Sequence, residues 1–348
     1  MKVNKNHLSF DDMRVAYLPK DDVIQITSGD QALAADGWRL VLQKHTPGEK
    51  RLRTLLQHEG VLRFPTANLP NFIAYPAKTE QPWHEFPVGV KKDGSVATID
   101  LLTSPHLLLA GSSGSGKSAV LRSLMAHVLN HPNRWQVTAV DMSQIEYGQY
   151  KESTTLRERF TYVKDLEGAV MALRKLEELM FQRYAALEAT RQNSAVRFIN
   201  DGIWQAQLIV IDEAYILLSL EGALSQEGKQ RDSWHQEARE RLANIARLGR
   251  AAGIFIVIST QRPDGSILPS EFRNNLGNRI LLGRVSSSNS KLVLNSGQLG
   301  PATSNMTTTP NIKGRGYLYS DGDGNAWEVQ FFWAEPNHTE QFERARYQ

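Results

Sequence analysis

A glycine-rich loop between an apolar run and an amphipathic stretch is the feature that most constrains this 348-residue chain. The apolar run at 107–110 leads into Gly-x-x-x-x-Gly-Lys-Ser, from Gly111 to Ser118, and the amphipathic stretch at 119–129 follows directly. This order predicts a strand, a phosphate loop and a helix, the context in which a P-loop pattern becomes specific. The chain is therefore expected to contain an α/β domain that binds a nucleotide.

The residues of this loop have predicted roles. Its glycines let backbone N–H groups curl around an anion, and the helix N-terminus adds about half a positive charge at the same point. We expect Lys117 to reach the β- and γ-phosphates of ATP and the Ser118 hydroxyl to bind Mg²⁺. The predicted nucleotide-binding residues are Gly111, Ser112, Ser113, Gly114, Ser115, Gly116, Lys117 and Ser118.

Buried apolar runs that alternate with helical periodicity predict a mostly parallel sheet with helices on both faces. Further strands are predicted at 135–140, 208–211, 254–258 and 279–282. Helices are predicted at 166–189 and 238–248. A polar loop is predicted at 221–236, ahead of the second helix. Hairpins are predicted at 86–101, with a turn at 92–94, and at 310–333, with a turn at Asp321.

Two carboxylates follow the buried run at 208–211, in the Walker B arrangement. Asp212 is predicted to hold Mg²⁺, directly or through water, and Glu213 to orient and activate the attacking water. P-loop kinases transfer phosphate to a substrate and need no such base, so Glu213 favours hydrolysis. The run at 254–258 delivers Gln261 to the same edge, where it could sense the γ-phosphate through a hydrogen bond.

Composition excludes several classes of site and of protein. The chain has no cysteine, which excludes disulfides, iron–sulfur clusters and thiolate zinc sites. No apolar run approaches the ~20 residues of a membrane helix, and the N-terminus lacks the apolar core of a signal peptide. We therefore expect no transmembrane segment and a cytoplasmic location. The net charge of +3 permits a nucleic-acid partner without arguing for one.

Several motifs in this order resemble the FtsK/SpoIIIE family of DNA-translocating ATPases, over residues 86–333. The motifs are Pro-Val-Gly-Val-Lys-Lys-Asp-Gly from Pro87, Ser-Pro-His-Leu-Leu-Leu-Ala-Gly from Ser104, Asp-Met-Ser-Gln-Ile-Glu from Asp141, Gln182-Arg-Tyr, the run Arg247–Pro263 and the run Asn278–Ser287. Ser143 stands where many members of the family carry Lys, which puts any role of that lysine in doubt.

The resemblance implies a RecA-like motor domain that assembles as a hexameric ring around double-stranded DNA, with ATP between subunits. Arg279 matches the position of an arginine finger for the neighbouring subunit's nucleotide, and Arg284 is a second candidate. A guanidinium suits the charge that builds on the γ-phosphate. Loops at 262–273 and 286–291 are candidates for tracking the DNA backbone.

The family's membrane-spanning region and C-terminal winged-helix module have no counterpart in the sequence. A single ATPase domain is predicted, at 86–348, preceded by an accessory segment and connector at 1–85. In that segment we expect a strand at 38–42, a helix at 50–62 and repeated breaks at prolines. It could form part of a ring or dock on a membrane or relaxase partner.

Three functions stay open at this point. The first is a DNA translocase that acts in DNA transfer by a conjugative or integrative element or a phage. The second is an ATPase of the type VII protein-export kind, which shares the family's core and binds a peptide instead of DNA. The third is a nucleotide-switched assembly protein that does no mechanical work.

Overall fold

The computed structural model describes residues 69–76, 79–220, 225–261, 263, 265, 268–283, 292–294 and 312–335, except the side chain at 157, and the backbone of five strands before residue 42. These strands form one antiparallel sheet: β1 (Leu8–Phe10), β2 (Met13–Leu18), β3 (Val23–Ser28), β4 (Gln31–Ala32) and β5 (Leu40–Val41). The strand predicted at 38–42 corresponds to β5. The helix predicted at 50–62 lies outside the described residues.

The remaining strands form one ten-stranded sheet. Its first four members along the chain are β6 (Glu85–Lys91), β7 (Val96–Asp100), β8 (Leu107–Gly111) and β9 (Trp135–Asp141). The others are β10 (Phe160–Val163), β11 (Ala206–Asp212), β12 (Ile254–Thr260), β13 (Asn278–Leu282), β14 (Arg315–Ser320) and β15 (Ala326–Phe331). The predicted strands and both predicted hairpins are present, whereas β10 was not predicted.

The sheet is parallel through its first six strands, in the order β10-β9-β11-β12-β8-β13, and antiparallel through β14, β15, β6 and β7. The phosphate-loop strand β8 lies between β12 and β13. Its register pairs Ala110 with Thr260 and Gly111 with Leu282. The carboxyl ends of these strands therefore meet at one edge, where ligand sites form in parallel sheets.

Helices cover both faces of the sheet, as the fold class predicts. They are α1 (Lys117–Asn130), α2 (Leu166–Ala189), α3 (Val196–Asn200), α4 (Ala214–Leu218), α5 (Gln226–Leu248) and α6 (Ser270–Arg273). On one face, Val120 and Leu124 of α1 pack in a core with Phe86 and Trp135. On the other face, α2 and α5 contribute a second core. None of the helices described here combines the length and hydropathy that crossing a bilayer requires.

The prediction of a loop at 221–236 is wrong for residues 226–236, which form the first half of α5. Ser225 starts this helix, because its hydroxyl accepts a hydrogen bond of 3.1 Å from the Gly228 amide. Further along, Glu237 pairs with Arg174 of α2 at 2.6 Å. This polar segment is stabilised as a helix by a cap and by ion pairs on its outer face. A search for hydrophobic periodicity does not detect such contacts.

Residues 69–76, which we call the strap, pack against the end of the large sheet. The Arg315 guanidinium donates to the carbonyl oxygens of Leu69 at 3.0 Å and Pro70 at 2.7 Å. The backbone of Trp333 accepts from the Tyr75 amide at 2.9 Å and donates to the Ile73 carbonyl at 2.8 Å. This part of the expected connector is therefore joined to the large sheet. The domain boundary at residue 85 stays a prediction.

Candidate nucleotide-binding site

The phosphate loop begins where β8 ends at Gly111 and closes at the first turn of α1. Gly114 and Gly116 have φ values of 74° and 110°, which glycine adopts without strain. A side chain at Gly116 would also meet the backbone nitrogen of Gly314 at 3.0 Å. The Gly314 amide donates to the Ser115 carbonyl at 2.9 Å. The segment that precedes β14 thus supports the loop from behind.

Lys117 is buried at the first position of α1. Its ammonium donates a hydrogen bond of 2.9 Å to the Gly111 carbonyl and lies 3.9 Å from Glu213 Oε1. Burial lowers the pKa of Lys117, and the charges of Glu213 and Asp212 oppose that shift. The amine is held where an added anionic phosphate would favour its charged form.

The two carboxylates stand at the end of β11. Burial is the main reason that the pKa of Asp212 is raised to about 6, and the nearby carboxylates Glu213, Asp141 and Glu146 add to the shift. Glu213 follows in the left-handed region, with φ 49°, which is uncommon for a residue with a side chain. This turn places both carboxylates in the same chamber as Lys117.

Ser118 and Asp212 also line this chamber and offer a hydroxyl and a carboxylate oxygen, the hard ligands that Mg²⁺ prefers. The neighbouring carboxylates, which add to the effect of burial on the pKa of Asp212, create negative potential that a divalent cation would neutralise. These two residues therefore fit the predicted magnesium site. Among the described residues, no cluster of three or more histidine, aspartate or glutamate side chains forms a metal site by itself.

Gln261 follows β12 and reaches Glu213. Its side-chain amide donates a hydrogen bond of 2.6 Å to Glu213 Oε1, and its backbone amide lies 3.4 Å from Glu213 Oε2. The sequence placed Gln261 at this edge as a sensor of the γ-phosphate. The structure adds that its side chain orients the predicted catalytic carboxylate.

The chamber has a volume of about 600 Å³, which lies within the usual range for small-molecule sites. Its lining includes the phosphate loop, the carboxylates, part of the strap and the end of β15. Of the predicted site residues, the chamber is lined by Ser113, Gly114, Gly116, Lys117, Ser118, Asp212, Glu213 and Gln261. Of the other residues of the phosphate loop, Gly111 and Ser115 are buried and Ser112 is exposed.

Sequence reasoning missed an ion pair in the chamber wall. Arg122 of α1 donates to Glu146 at 2.6 Å and to the Ala334 carbonyl at 2.9 Å. Arg122 lies four residues after Ser118, so it shares a helix face with the phosphate loop. Glu146 belongs to a loop anchored by Asp141, which accepts hydrogen bonds from the Ser143 hydroxyl and from three backbone amides of that loop.

The placement of Arg279 does not fit the predicted arginine finger. Its register partner is Leu108, three residues before Gly111 and so about 10 Å back from the carboxyl edge of the sheet. The guanidinium is buried and donates to three carbonyls of its own chain, those of Leu276, Arg273 and Val293. Arg279 is therefore a structural residue within this chain.

Other candidates lie outside the described residues. These include the second finger candidate, Arg284, and the predicted DNA loop at 286–291. Of the predicted loop at 262–273, residues 263, 265 and 268–273 are described, and Ser270–Arg273 form the helix α6. The Arg273 guanidinium donates to the Leu268 carbonyl at 2.6 Å.

The FtsK/SpoIIIE family model matches residues 72–224, which include the phosphate loop and both carboxylates. This segment of the chain matches the FtsK/SpoIIIE domain. Curated relatives named DNA translocase FtsK, from Lactococcus lactis subsp. cremoris and Staphylococcus epidermidis, are each 26% identical, over 60% and 62% of this chain. The matched region covers 28% and 27% of those relatives. The FtsK/SpoIIIE resemblance is thus confirmed, and the rest of the relatives' length has no match here.

Solved structures share the fold of this chain. The pCW3 conjugation coupling protein TcpA, in a monomer form with ATPγS, has a TM-score of 0.67 at 20% identity and covers 98% of this chain and 92% of its own. EssC from Geobacillus thermodenitrificans (ATPases 2 and 3) has a TM-score of 0.61 at 19% identity and covers 80% of this chain and 52% of its own. At these identities the likeness establishes the α/β P-loop fold.

Proposed function

We propose that this chain hydrolyses ATP to move double-stranded DNA, in the cytoplasm and as a ring of identical subunits. The family resemblance implies six subunits. The observation that carries the proposal is the meeting of Lys117, Glu213 and Gln261 in one chamber beside a phosphate loop. The FtsK/SpoIIIE domain and the relatives named DNA translocase support DNA as the partner.

The residues of the chamber divide the hydrolytic work between them. Backbone amides of the phosphate loop and the Lys117 ammonium bind the triphosphate and stabilise charge on the γ-phosphate. Glu213, oriented by Gln261, accepts a proton from the attacking water. Mg²⁺, held by Ser118 and Asp212, supplies neutralising charge to the phosphate oxygens when bound.

The biological setting proposed is DNA transfer by a conjugative or integrative element or a phage. The likeness to a conjugation coupling protein supports the first of these settings at the level of fold. Residues 1–85 are proposed to dock on a membrane or relaxase partner. Since Arg279 is engaged within its own chain, we leave it out of the proposed catalytic residues.

An ATPase assay with and without duplex DNA tests the proposal. The wild type should hydrolyse ATP faster with duplex DNA. Lys117→Ala should abolish nucleotide binding, and Glu213→Gln should bind ATP while turnover falls about 10²- to 10⁴-fold, because the general base is lost. Glu240→Gln, which changes a carboxylate paired with Gln236 on the exposed side of α5, is the matched control. If Glu213→Gln turned over ATP at the wild-type rate, the assignment of Glu213 as the general base would be wrong.

The alternatives are separated by partner binding. Filter binding to duplex DNA across a salt series should show affinity that falls steeply with salt, because phosphate contacts release counterions. Absence of DNA binding at ~50 mM salt would favour the protein-export function, where salt-dependent phosphate contacts have no part. ATP binding that changes oligomeric state without DNA movement would favour the nucleotide-switched assembly protein.

A further inference from the structure

We propose that the strap contributes to the base-binding half of the nucleotide site. Phe72 of the strap and Trp333, which follows β15, form a stacking surface for a purine. The inference rests on the proposed function, since it assigns the part of ATP that the phosphate loop does not hold. It makes residues ahead of the phosphate-loop strand part of the substrate site.

The lining of the chamber is of two chemical kinds. One part comprises the phosphate loop, Lys117 and the carboxylates. The other part, an aromatic wall, comprises Phe72, Phe331, Phe332 and Trp333. A nucleoside triphosphate has the same division, an anionic chain joined to a flat apolar base. Electrostatics orients the triphosphate toward Lys117, which leaves the base to the aromatic wall.

Phe72 is unusual among the aromatic residues of this wall because its side chain is 51% exposed. Its ring centroid lies 5.6 Å from that of Trp333, and the two ring planes are tilted by 50°. Phe331 and Phe332, by contrast, are buried in the protein. This pair, an exposed Phe72 and a half-buried Trp333 that both line the chamber, is a surface on which a base can stack, since every base has a π-face.

The strap is fixed in position by contacts that do not involve a nucleotide. Arg315 holds the carbonyls of Leu69 and Pro70, just before Phe72. The backbone bonds of Trp333 to Ile73 and Tyr75 hold the strap just after Phe72. Phe72 is therefore attached on both sides to the element that carries its ring partner.

Gln330, a polar residue that also lines the chamber, is already hydrogen-bonded within the protein. The Gln330 amide donates to the Lys313 carbonyl at 3.0 Å, and its oxygen accepts from Arg315 Nε at 2.9 Å. These two bonds hold the Gln330 side chain against Lys313 and Arg315. Recognition through ring faces accepts adenine and guanine alike and favours purines, which offer more stacking area than pyrimidines.

Calorimetric titration of the full chain with two ligands tests the subsite. Mg²⁺ with AMP-PNP carries a base, whereas inorganic tripolyphosphate does not. Phe72→Ala should weaken AMP-PNP binding about tenfold, the loss expected for one stacking contact, and leave tripolyphosphate binding unchanged. Phe72→Trp should retain AMP-PNP affinity. Phe181→Ala, at a phenylalanine of α2 that is 55% exposed, should match the wild type with both ligands.

The outcomes are distinct. Unchanged AMP-PNP affinity in Phe72→Ala would overturn the subsite while leaving the proposed function intact. An equal loss of affinity for both ligands in Phe72→Ala would also overturn the subsite, because the side chain would then support the phosphate loop instead of binding the base. A wild-type protein that binds neither ligand would overturn the proposed function and the subsite together.

Discussion

The side-chain amide of Gln261 donates a 2.6 Å hydrogen bond to Oε1 of Glu213. This bond joins the end of β12 to the end of β11, across two neighbouring parallel strands. It also directs the carboxylate toward Lys117, whose ammonium is 3.9 Å from the same oxygen. Glu213, the predicted general base, is thus held by one neutral donor and one cation.

Removing this donor should reduce turnover more than binding. In Gln261→Ala, Glu213 loses its orientation, and we expect kcat to fall about tenfold with the KM for ATP nearly unchanged. Steady-state ATPase measurements check this. Gln236→Ala is the control, since Gln236 also donates to a glutamate, Glu240, at 2.9 Å on the surface of α5. An increase in KM alone would instead indicate that Gln261 acts in nucleotide binding.

Asp212 should make the ligand-free protein less stable at neutral pH. Its folded-state pKa of about 6 lies above the unfolded value of 3.8, so ionisation costs the folded state free energy as pH rises from 4 to 6. Asp212→Asn should therefore be more stable than the wild type by about 1–2 kcal/mol at pH 7 without Mg²⁺. The difference should shrink toward pH 4. Urea denaturation at both pH values checks this.

Asp201→Asn, which changes an exposed carboxylate after α3, is the control for that comparison. It should show no comparable gain. Addition of Mg²⁺ with AMP-PNP should stabilise the wild type more than Asp212→Asn, because the cation neutralises a charge that only the wild type carries. Equal stabilisation of both would remove Asp212 from the magnesium site.

His106 should make the fold sensitive to acid. Its ring is buried, with Nε2 3.0 Å from the Ala246 carbonyl and Nδ1 accepting from the Ile256 amide at 2.9 Å. Because a carbonyl only accepts, Nε2 carries the proton and the ring is neutral. Burial lowers the pKa of His106 to about 4. Its unfolded value of 6.5 is higher, so stability is complete above pH 6.5 and falls toward pH 4.

The size of this effect is about 3 kcal/mol between pH 7 and pH 4. In His106→Leu that part of the pH dependence should vanish, although the variant is less stable at pH 7 because the Ala246 and Ile256 backbone groups lose their partner. Denaturant unfolding across this range measures both. Identical slopes for the variant and the wild type would show that His106 does not titrate in this range.

Arg279→Ala should affect stability and spare catalysis. Three carbonyls lose their donor, so we expect a loss of about 2–4 kcal/mol in the free energy of unfolding. Below its melting temperature the folded variant should keep kcat within about threefold, whereas removal of an arginine finger lowers it about 10³-fold or more. A mixture of Arg279→Ala with Lys117→Ala should show no more ATPase activity than the Arg279→Ala chain contributes alone. A gain above that level would assign Arg279 a role in the neighbouring subunit's site.

Motif spacing predicted the parts of the site that lie next to each other in the chain. The phosphate loop and the Asp212-Glu213 pair each follow a buried strand, and parallel strands bring their carboxyl ends to one edge. Local sequence therefore decided where Lys117, Glu213 and Gln261 would meet.

The parts that were missed depend on contacts between distant residues. The strap is held by Arg315, which lies 246 positions from Leu69, and no local pattern records that contact. The first half of α5 depends on a cap and on ion pairs with α2 instead of an apolar stripe. Arg279 matched the family pattern in position, but the register of β13 against β8 places it inside the protein.

The ion pair between Arg122 and Glu146 joins helix α1 to the loop that follows β9. Arg122 also donates to the Ala334 carbonyl, which joins both to the segment after β15. Both side chains are largely shielded from water, so bulk salt screens their attraction only weakly. A ligand entering the chamber meets surfaces already arranged to receive it. Little conformational entropy is then lost on association, and most of the binding energy stays available for the reaction that follows.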